Sequence, residues 1–384
     1  MRIVFASNFF NHHQEPVCEA LYQKLGDDFR FIATEAVPQA RRSLGYGTEQ
    51  PVYVIPAYAD QHQRELAQRL IDEADVVVSG SAPESMLRSR IRAGKLLFRY
   101  SERPLKNGFS VFRYLPRLFK WHLLSPMTKP IYMLCASAFT SVDYAKFGLF
   151  LGRCYKWGYF PETRRYPDPD TLIAQKDPVS LLWVGRMLDW KHPDDALEIA
   201  RRLKREGKAF TLTMIGIGPM EPLIRERIEE YGLSDCVSLP GSMSPAEVRA
   251  HMERSGIFLF TSDRKEGWGA VLNESMNSCC AVVSCEVIGS VPYLIRSGEN
   301  GLTYASGDVD ELYRLTAYLL DHPQEQRRLG TAAYRSITEQ WNAEIAAERL
   351  LQLAQQIMSG EKHPDLFADG PASLDTVHHI RMGL

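Results

Sequence analysis

The chain alternates short apolar runs with longer amphipathic segments, and this alternation constrains the fold more than any other feature. Residues 2–6, 74–79 and 180–184 have the length and apolar character of buried strands, whereas a segment such as 193–206 has helical periodicity. Strands that alternate with helices form parallel sheets covered by helices on both faces. The sequence therefore predicts an α/β fold built from doubly wound parallel sheets.

A proline- and charge-rich stretch at residues 161–170 divides this alternation into two series. We predict an N-terminal Rossmann-like domain over 1–165, a linker over 166–178 and a C-terminal Rossmann-like domain over 179–340. Residues 341–384 are predicted to form a C-terminal helix and a polar, loosely held tail. Because parallel sheets bind ligands at the carboxyl ends of their strands, two such domains facing each other predict a ligand site in a cleft.

The net charge of −2 hides a split between the two halves of the 384-residue chain. Residues 1–165 carry 23 Lys and Arg against 15 Asp and Glu, and the remainder carries 22 against 32. Residues 85–130 alone hold eleven Lys and Arg, interleaved with aromatic residues, and one acid, Glu102. Two interpretations stay open: a solvated face with ordinary ion pairs, or a surface that docks on an anionic membrane. Since no recognition motif accompanies the charge, we predict no nucleic-acid partner.

The cysteines and the N-terminus indicate the cellular compartment. The seven cysteines are odd in number and none has C-x-x-C spacing, so we predict reduced thiols and no zinc site. The first residues lack the apolar stretch of a signal peptide, and no segment approaches the ~20 apolar residues that span a bilayer. The predicted location is cytoplasmic, either free or peripheral on the inner face of the membrane.

Two glutamates eight residues apart, Glu266 and Glu274, follow the predicted strand at 257–261. The glycines at 267 and 269 permit close approach of a ligand, and the amides of a helix that begins near Ala270 offer an anion site. Both carboxylates are then placed to accept hydrogen bonds from ligand hydroxyls. Taken alone, the spacing is a weak signal and is more typical of a loop acid and a solvated helix residue.

Further turns at the same predicted sheet edge carry cations and glycines. Arg186 follows the first strand of the second series and Lys191 lies in the loop after it, a pair suited to phosphate oxygens. Gly216 and Gly218 follow the next strand. Because Glu221 stands where a G-x-G-x-x-G site would have its third glycine, a dinucleotide site is disfavoured.

Three segments, taken in their order along the chain, resemble the nucleotide-sugar half of the family-four retaining glycosyltransferases, which are enzymes of the GT-B fold. They are V-G-R-M-L-D-W-K at 184–191, G-I-G-P at 216–219 and E-G-W-G-A-V-L-N-E at 266–274. The resemblance is specific over about 180–305 and only architectural over 1–165. It implies a retaining enzyme that moves a sugar from a UDP- or GDP-linked donor to a glycan or lipid-linked acceptor, without any cofactor besides that co-substrate.

The resemblance also implies roles for individual residues. Arg186 and Lys191 would neutralise the donor diphosphate, Glu266 would hold the transferred sugar, and Glu274 would hold the ribose. Because these cations and a helix N-terminus would neutralise the negative charge of the diphosphate, no divalent metal is implied. Attack on the same face, with the leaving diphosphate accepting the proton, is favoured over a carboxylate nucleophile. The donor-binding candidates are Arg186, Lys191, Gly216, Gly218, Pro240, Gly241, Glu266, Gly267, Trp268, Gly269, Leu272 and Glu274.

The sequence departs from the family pattern at two places. Tyr293 replaces the acid of the usual G-G-x-P-E turn, and the glycine pair after the first strand is absent. The loop found there instead is expected at the carboxyl end of its strand, where His13 is a candidate proton acceptor. Alternatively, its histidines cap the next helix. The candidates for acceptor binding are Asn8, Asn11, His12, His13 and Glu102.

Two other functions remain open at this point. A sugar-nucleotide epimerase or hydrolase on the same fold would bind the same donor but need an added base or water. A non-catalytic sugar-nucleotide-binding subunit would not require Arg186, Lys191, Glu266 and Glu274 together, and for that reason it is less favoured.

Overall fold

The computed structural model describes residues 1–38, 50–108, 112 and 114–376. The chain forms two compact units. Met1–Glu162 and Asn342–Leu384 make up the N-terminal unit, and Thr163–Trp341 makes up the C-terminal unit. Each unit contains one parallel sheet, so the predicted fold class, with two Rossmann-like domains, is confirmed.

The described residues of the N-terminal unit include a seven-stranded parallel sheet in the order β3-β2-β1-β4-β5-β6-β7. Strands β1, β4 and β6 are buried along their whole length, as expected when helices cover both faces. The order reverses between β1 and β4, the position at which such sheets bind ligands. The strands are β1 (Ile3–Ser7), β2 (Phe29–Ala33), β3 (Val54–Pro56), β4 (Val76–Ser79), β5 (Leu96–Ser101), β6 (Ile131–Cys135) and β7 (Cys154–Lys156).

The helices of the N-terminal unit begin and end at residues that suit those positions. Asp60 caps the second helix by accepting a hydrogen bond from the Gln63 amide (2.7 Å), and Gly94 ends the third in a left-handed conformation. Contacts between the first and last helices join the two chain segments of this unit. The helices are α1 (Glu15–Leu25), α2 (Gln61–Glu73), α3 (Arg88–Ala93), α4 (Tyr114–Leu124), α5 (Thr140–Ala145) and, after the C-terminal unit, α14 (Ala343–Met358).

The C-terminal unit has a six-stranded parallel sheet in the order β10-β9-β8-β11-β12-β13, which reverses between β8 and β11. The strands are β8 (Asp177–Val184), β9 (Thr211–Ile215), β10 (Val237–Gly241), β11 (Ser255–Phe260), β12 (Ala281–Cys285) and β13 (Leu302–Tyr304). The helices are α6 (Pro169–Ala174), α7 (Pro193–Arg205), α8 (Glu221–Glu230), α9 (Pro245–Arg254), α10 (Val271–Asn277), α11 (Val291–Leu294), α12 (Val309–Asp321) and α13 (Pro323–Glu339).

Two segments differ from their predicted character. Within the predicted linker, Asp168 caps α6 through the Thr171 amide (3.1 Å) and Pro169 occupies the first turn, so the prolines there begin a helix. The polar tail is held rather than loose as far as the structure describes it, to residue 376, because the Lys156 side chain pairs with Asp369 (2.6 Å) and the Lys156 amide donates to the Ser373 carbonyl (2.8 Å). Partners on a distant strand, which local polarity does not reveal, hold this segment.

The cysteines are free thiols, as predicted, and all except Cys236 are buried. Burial raises the pKa of the Cys279 thiol to about 12. None of the helices in the described ranges is both long enough and apolar enough to cross a membrane.

Candidate functional site

In the C-terminal unit, the loops that follow β8 and β11 meet at the reversal point of the sheet. The Lys191 ammonium forms a close ion pair with the Glu266 carboxylate. Ser262 donates a second hydrogen bond to the same carboxylate (3.0 Å). The structure thus brings together two residues that are 75 positions apart and were predicted to serve one ligand.

Packing holds Lys191 in place along its length. Its ammonium lies 4.8 Å from the centre of the Trp190 ring, and its residue is only 9% exposed. The Thr261 hydroxyl donates to the Lys191 carbonyl (2.7 Å) and itself accepts from the Trp183 indole (2.9 Å). A Cβ at Gly185 would lie 3.2 Å from the lysine Cδ, so this glycine leaves the space that the lysine stem occupies.

Arg186, by contrast, is exposed and makes no side-chain hydrogen bond or ion pair with any described residue. The backbone on either side of it is fixed, since the Gly185 amide donates to Ile215 and the Met187 amide donates to Ile217 (both 3.0 Å). The edge therefore combines one buried, compensated cation with one exposed, uncompensated cation.

Glycines let the neighbouring loops approach this edge. A Cβ at Gly216 would overlap the Gly185 carbonyl, and its φ of 136° is one that other residues rarely adopt. A Cβ at Gly218 would lie 2.5 Å from the Met187 carbonyl. The Gly216 amide also donates to the Gly241 carbonyl (2.8 Å), which ties the turn at Pro240 to the same edge.

The segment from Glu266 to Glu274 divides into ligand-facing and core positions. Trp268 is fully buried and its indole donates to Asn273 (2.9 Å), while Leu272 is also fully buried. The side chains of Trp268 and Leu272 therefore belong to the core, and any ligand contact at Gly267, Trp268 or Gly269 falls to the backbone. Glu274 is partly buried in the first turn of α10.

The tyrosine that departs from the family pattern has a packing role. Tyr293 lies parallel to Trp341, with ring centres 5.8 Å apart and planes at 15°, and it also contacts Trp268. The hydroxyl of Ser290, in the same turn, donates to the Trp268 carbonyl (2.6 Å). This turn is therefore tethered by aromatic packing and a serine.

The N-terminal unit has a cavity of about 740 Å³ at the reversal point of its own sheet. Four of the five predicted acceptor residues, Asn8, Asn11, His13 and Glu102, line it together, and His12 is not among the lining residues. Neither histidine is the N-cap residue of α1, because that position is Gln14, and its side chain makes no capping hydrogen bond. The residues that follow β1 and β5 are thus brought to one site.

A network of side chains shapes one wall of this cavity. Glu102 accepts hydrogen bonds from the Tyr159 hydroxyl (2.7 Å) and from Lys106 (3.2 Å). The His13 ring lies parallel to the Tyr159 ring, with centres 5.6 Å apart and planes at 8°. Tyr100 borders the same wall, and burial raises its pKa well above the ordinary value. Its hydroxyl accordingly stays protonated and donates to the Gly158 carbonyl (3.1 Å).

Sequence reasoning missed several cavity residues, among them Arg99, Glu84 and Tyr159. Arg99 makes two hydrogen bonds to Glu84 (2.7 and 3.0 Å), and both side chains line the cavity with Tyr159. Arg99 had a sequence signal that was not used, since it is a charged residue inside the apolar strand β5. No sequence signal marks Tyr159, which reaches the site only because β7 lies in the same sheet.

One group of potential metal ligands lies beside Lys191 among the described residues: His192, Asp194 and Asp195. Asp194 pairs with Arg227 (3.6 Å), and His192 lies 3.8 Å from Asp263. Burial raises the pKa of Asp195 to about 6, opposed by His192 and reinforced by Asp194 and Glu198. With these groups already engaged, nothing in the cluster itself points to a bound ion, and metal independence stays a prediction.

The two Asp-x-Asp sequences of the chain begin at Asp168 and Asp308. Both aspartates cap helices, since Asp168 accepts from the Thr171 amide and Asp308 accepts from the Glu311 amide (2.8 Å). Both carboxylates therefore serve as helix caps.

Two Rossmann-like units with these strand orders define the GT-B fold of glycosyltransferases. The structure of Anabaena Alr3699/HepE in complex with UDP is similar, with a TM-score of 0.67 and 15% identity, over 94% of this chain and all of that one. Residues 168–336 match the family model of the glycosyl transferases group 1. The C-terminal unit thus resembles that family over residues 168–336, and the predicted resemblance is confirmed.

Named relatives match over about half of the chain. AmsK of Erwinia amylovora, an amylovoran biosynthesis glycosyltransferase, is 29% identical over 189 residues, 48% of this chain and 46% of its own length. WcaL of Escherichia coli K12, whose name assigns it provisionally to colanic acid biosynthesis as a glycosyltransferase, is 30% identical over 201 residues, 51% of this chain and 49% of its own. The chain thus spans about half the length of the curated relatives it matches.

Proposed function

We propose that this protein is a retaining glycosyltransferase that moves a sugar from a nucleotide-diphosphate donor, UDP- or GDP-linked, to a glycan or lipid-linked acceptor. The observation that carries the proposal is the edge of the C-terminal sheet, where the Lys191–Glu266 pair and the exposed Arg186 lie on loops joined by glycines. Cations for an anion and a carboxylate for hydroxyls are the groups that a sugar diphosphate requires.

The two cations have different roles at the diphosphate. The Arg186 guanidinium is free to bind phosphate oxygens as a fork, because no described residue engages it. The Lys191 ammonium adds a fixed charge that needs little reorganisation when negative charge develops on the leaving diphosphate. We propose that these charges remove the need for a divalent metal or any cofactor besides the donor.

The carboxylates orient the two ends of the donor. Glu266 is held by Lys191 and Ser262, so its remaining lone pairs accept hydrogen bonds from hydroxyls of the transferred sugar. Glu274, one helical turn into α10, accepts from the ribose hydroxyls, and the turn at Pro240 and Gly241 contacts the base. Backbone groups at 267–269 contact the sugar or the phosphate.

The reaction we propose breaks the bond between the anomeric carbon and the diphosphate oxygen. The acceptor oxygen forms its new bond on the same face of the sugar, and its proton passes to the departing diphosphate oxygen. This route needs charge stabilisation at the diphosphate and no carboxylate nucleophile, which agrees with the cations at 186 and 191.

We place the acceptor in the N-terminal cavity. The cavity offers polar groups at Asn8, Asn11, His13 and Glu102, and its Ser79 hydroxyl is buried without a hydrogen-bond partner among the described residues. A buried hydroxyl without a partner carries a desolvation cost that a polar ligand relieves. A saccharide, which is rich in hydroxyls, fits this lining.

A thermal-shift screen of nucleotide sugars tests the donor, since a ligand that binds only the folded state raises its stability. We expect one UDP- or GDP-linked sugar to raise the Tm of the wild-type protein and not that of Arg186→Ala. Incubation of that donor with and without acceptor saccharides then tests transfer. Turnover without acceptor indicates the epimerase or hydrolase, and binding without any transfer indicates the non-catalytic subunit.

Two further measurements test the finer proposals. The anomeric configuration of the product, read by NMR, is expected to match that of the donor, and inversion would exclude the same-face route. Addition of EDTA is expected to leave the rate unchanged, whereas loss of activity that Mg²⁺ or Mn²⁺ restores would contradict metal independence.

A further inference from the structure

Helix α4 exposes a continuous apolar stripe. Leu115, Phe119 and Leu123 follow one another at four-residue spacing and are 70%, 74% and 68% exposed. Residues four apart lie on one face of a helix, so the three side chains form a single row. Phe112, three residues before Leu115, is 96% exposed. We call Leu115, Phe119 and Leu123 the outer stripe.

The outer stripe is distinct from the face by which α4 packs on its own unit. Tyr114, Leu118 and Trp121 contact the core, and the ring of Trp121 meets that of Phe147 with centres 4.6 Å apart. A helix that packs on one face normally presents polar residues on the other. The outer stripe therefore requires an apolar environment outside the part of the chain that the structure describes.

The charge around the stripe is of one sign. The forty residues between Glu102 and Asp143 contain no Asp or Glu. On α4 itself, Arg117 and Lys120 make no hydrogen bond or ion pair with any described residue. Lys120 is three residues from Leu123 and so neighbours the outer stripe, and the two unengaged cations together with the apolar row favour an anionic surface as the partner.

Part of the basic segment has a structural role, as the alternative interpretation predicted. Arg90 is 1% exposed and donates to backbone carbonyls, among them that of Ala74 (2.8 Å). Arg103 pairs with the buried Asp143 (3.3 Å). The surface charge is thus smaller than the count of residues suggests, and attraction to an anionic surface rests on the cations of α4.

We propose that α4 docks this protein on an anionic lipid bilayer, with the outer stripe inserted at the interface and Arg117 and Lys120 at the headgroups. Because a helix that lies in the interface combines an apolar face with flanking cations, this partner satisfies both the stripe and the charge. A second copy of the chain would cover the stripe but would place the same cations against each other.

The helix is connected to the cavity of the N-terminal unit. Arg99, which lines that cavity with Glu84, donates a hydrogen bond to the Leu124 carbonyl at the end of α4 (2.5 Å). The C-terminal end of α4 is therefore in direct contact with a residue of the cavity wall. If the cavity holds the acceptor, as the proposed function states, docking favours an acceptor that is anchored in lipid.

Flotation with vesicles tests the docking. We expect the wild-type protein to float with phosphatidylglycerol-containing vesicles at low salt, and much less with pure phosphatidylcholine or at high salt. The triple variant L115S/F119S/L123S and the charge variant R117E/K120E should each lose at least about tenfold in partitioning. Leu151→Ser is the matched control, because Leu151 is 62% exposed on the same unit but lies outside α4.

Three outcomes would overturn the proposal: no binding to anionic vesicles, equal binding by the wild type and the triple variant, or a dimer that only the triple variant abolishes. A Tm without donor that matches the wild type shows that each variant is folded, and a donor-induced Tm shift shows that its C-terminal unit still binds the donor. Because that shift depends on the C-terminal unit, its loss would count against the proposed function. Loss of flotation while the shift is retained bears only on the docking proposal.

Discussion

The Lys191 ammonium and the Glu266 carboxylate form a close ion pair, with both side chains about nine-tenths buried. Removing one partner of such a pair leaves the other charge without compensation in a poorly solvated place. We expect Lys191→Met to lower the free energy of unfolding by about 2 kcal/mol. The double variant K191M/E266Q should recover most of that loss, yet remain inactive because both ligand contacts are gone.

Urea unfolding of the single and double variants measures this coupling. Lys208→Met, which breaks a pair with the half-exposed Asp321 (2.7 Å), is the control and should cost less than about 1 kcal/mol. If the two single variants at 191 and 266 are additive in stability, the pair is not coupled as the structure indicates.

Arg186 is exposed and unengaged by the described residues, so its loss should affect ligand binding and not folding. We expect Arg186→Ala to lower kcat/KM for the donor by roughly 10²-fold, as when one stabilising donor is removed from a developing charge. Arg225→Ala, on α8, removes an arginine that pairs only with Glu221 within the described ranges and should leave kcat/KM unchanged. Wild-type kcat/KM in Arg186→Ala would refute the diphosphate role.

Two glycines with positive φ allow the stability cost of an unfavourable backbone conformation to be distinguished from the cost of a steric clash. Gly232 has a φ of 63° and open space around its missing Cβ, so Gly232→Ala should cost about 1 kcal/mol. At Gly216 a Cβ would also overlap the Gly185 carbonyl, so we expect Gly216→Ala to cost about 3 kcal/mol and to weaken donor binding. Equal losses of stability in chemical unfolding would show that the loops do not need this close approach.

Glu102 is the cavity residue whose loss should most affect the acceptor. Because hydrogen bonds to a charged group are the stronger ones, we expect Glu102→Gln to raise KM for the acceptor about tenfold while the donor Kd stays unchanged. Tyr159→Phe removes the hydroxyl that holds this carboxylate and should have a smaller effect in the same direction. Glu65→Gln on the exposed surface of α2 is the control. An unchanged acceptor KM in Glu102→Gln would move the acceptor out of this cavity.

The titration of Asp195 makes the free energy of unfolding depend on pH, and the direction of that dependence follows from its pKa. Its pKa of about 6 in the folded protein lies above its ordinary value of 3.8, so the folded state binds this proton more tightly. The contribution of this group to stability is therefore present below about pH 4 and is lost as the pH rises to about 6.

We expect Asp195→Asn, relative to wild type, to raise the free energy of unfolding by about 1 kcal/mol at pH 7.5, after allowance for solvent screening. At pH 4.5 the two proteins should be nearly equal. Urea unfolding at both pH values tests this, and a difference that does not change with pH would show that the carboxyl titrates normally.

Local sequence patterns were sufficient to predict most of the strands and helices. The predicted helix over 193–206 is observed as Pro193–Arg205, because a proline at the first turn and an apolar stripe act within the segment itself. The strands Val54–Pro56 and Leu302–Tyr304 were not predicted, since three residues carry too little alternation to indicate a strand. Their pairing with β2 and β12 is what defines them.

For the site, the sequence by itself determined which loops carry the charges, because glycines, Arg186, Lys191 and Glu266 stand at predicted strand ends. Only the tertiary structure decided that Lys191 and Glu266 pair, that Trp268 belongs to the core, and that Tyr159 holds Glu102. The physical reason is distance along the chain: strand ends follow from local periodicity, whereas partners 57 and 75 residues apart meet only through the order of strands in a sheet.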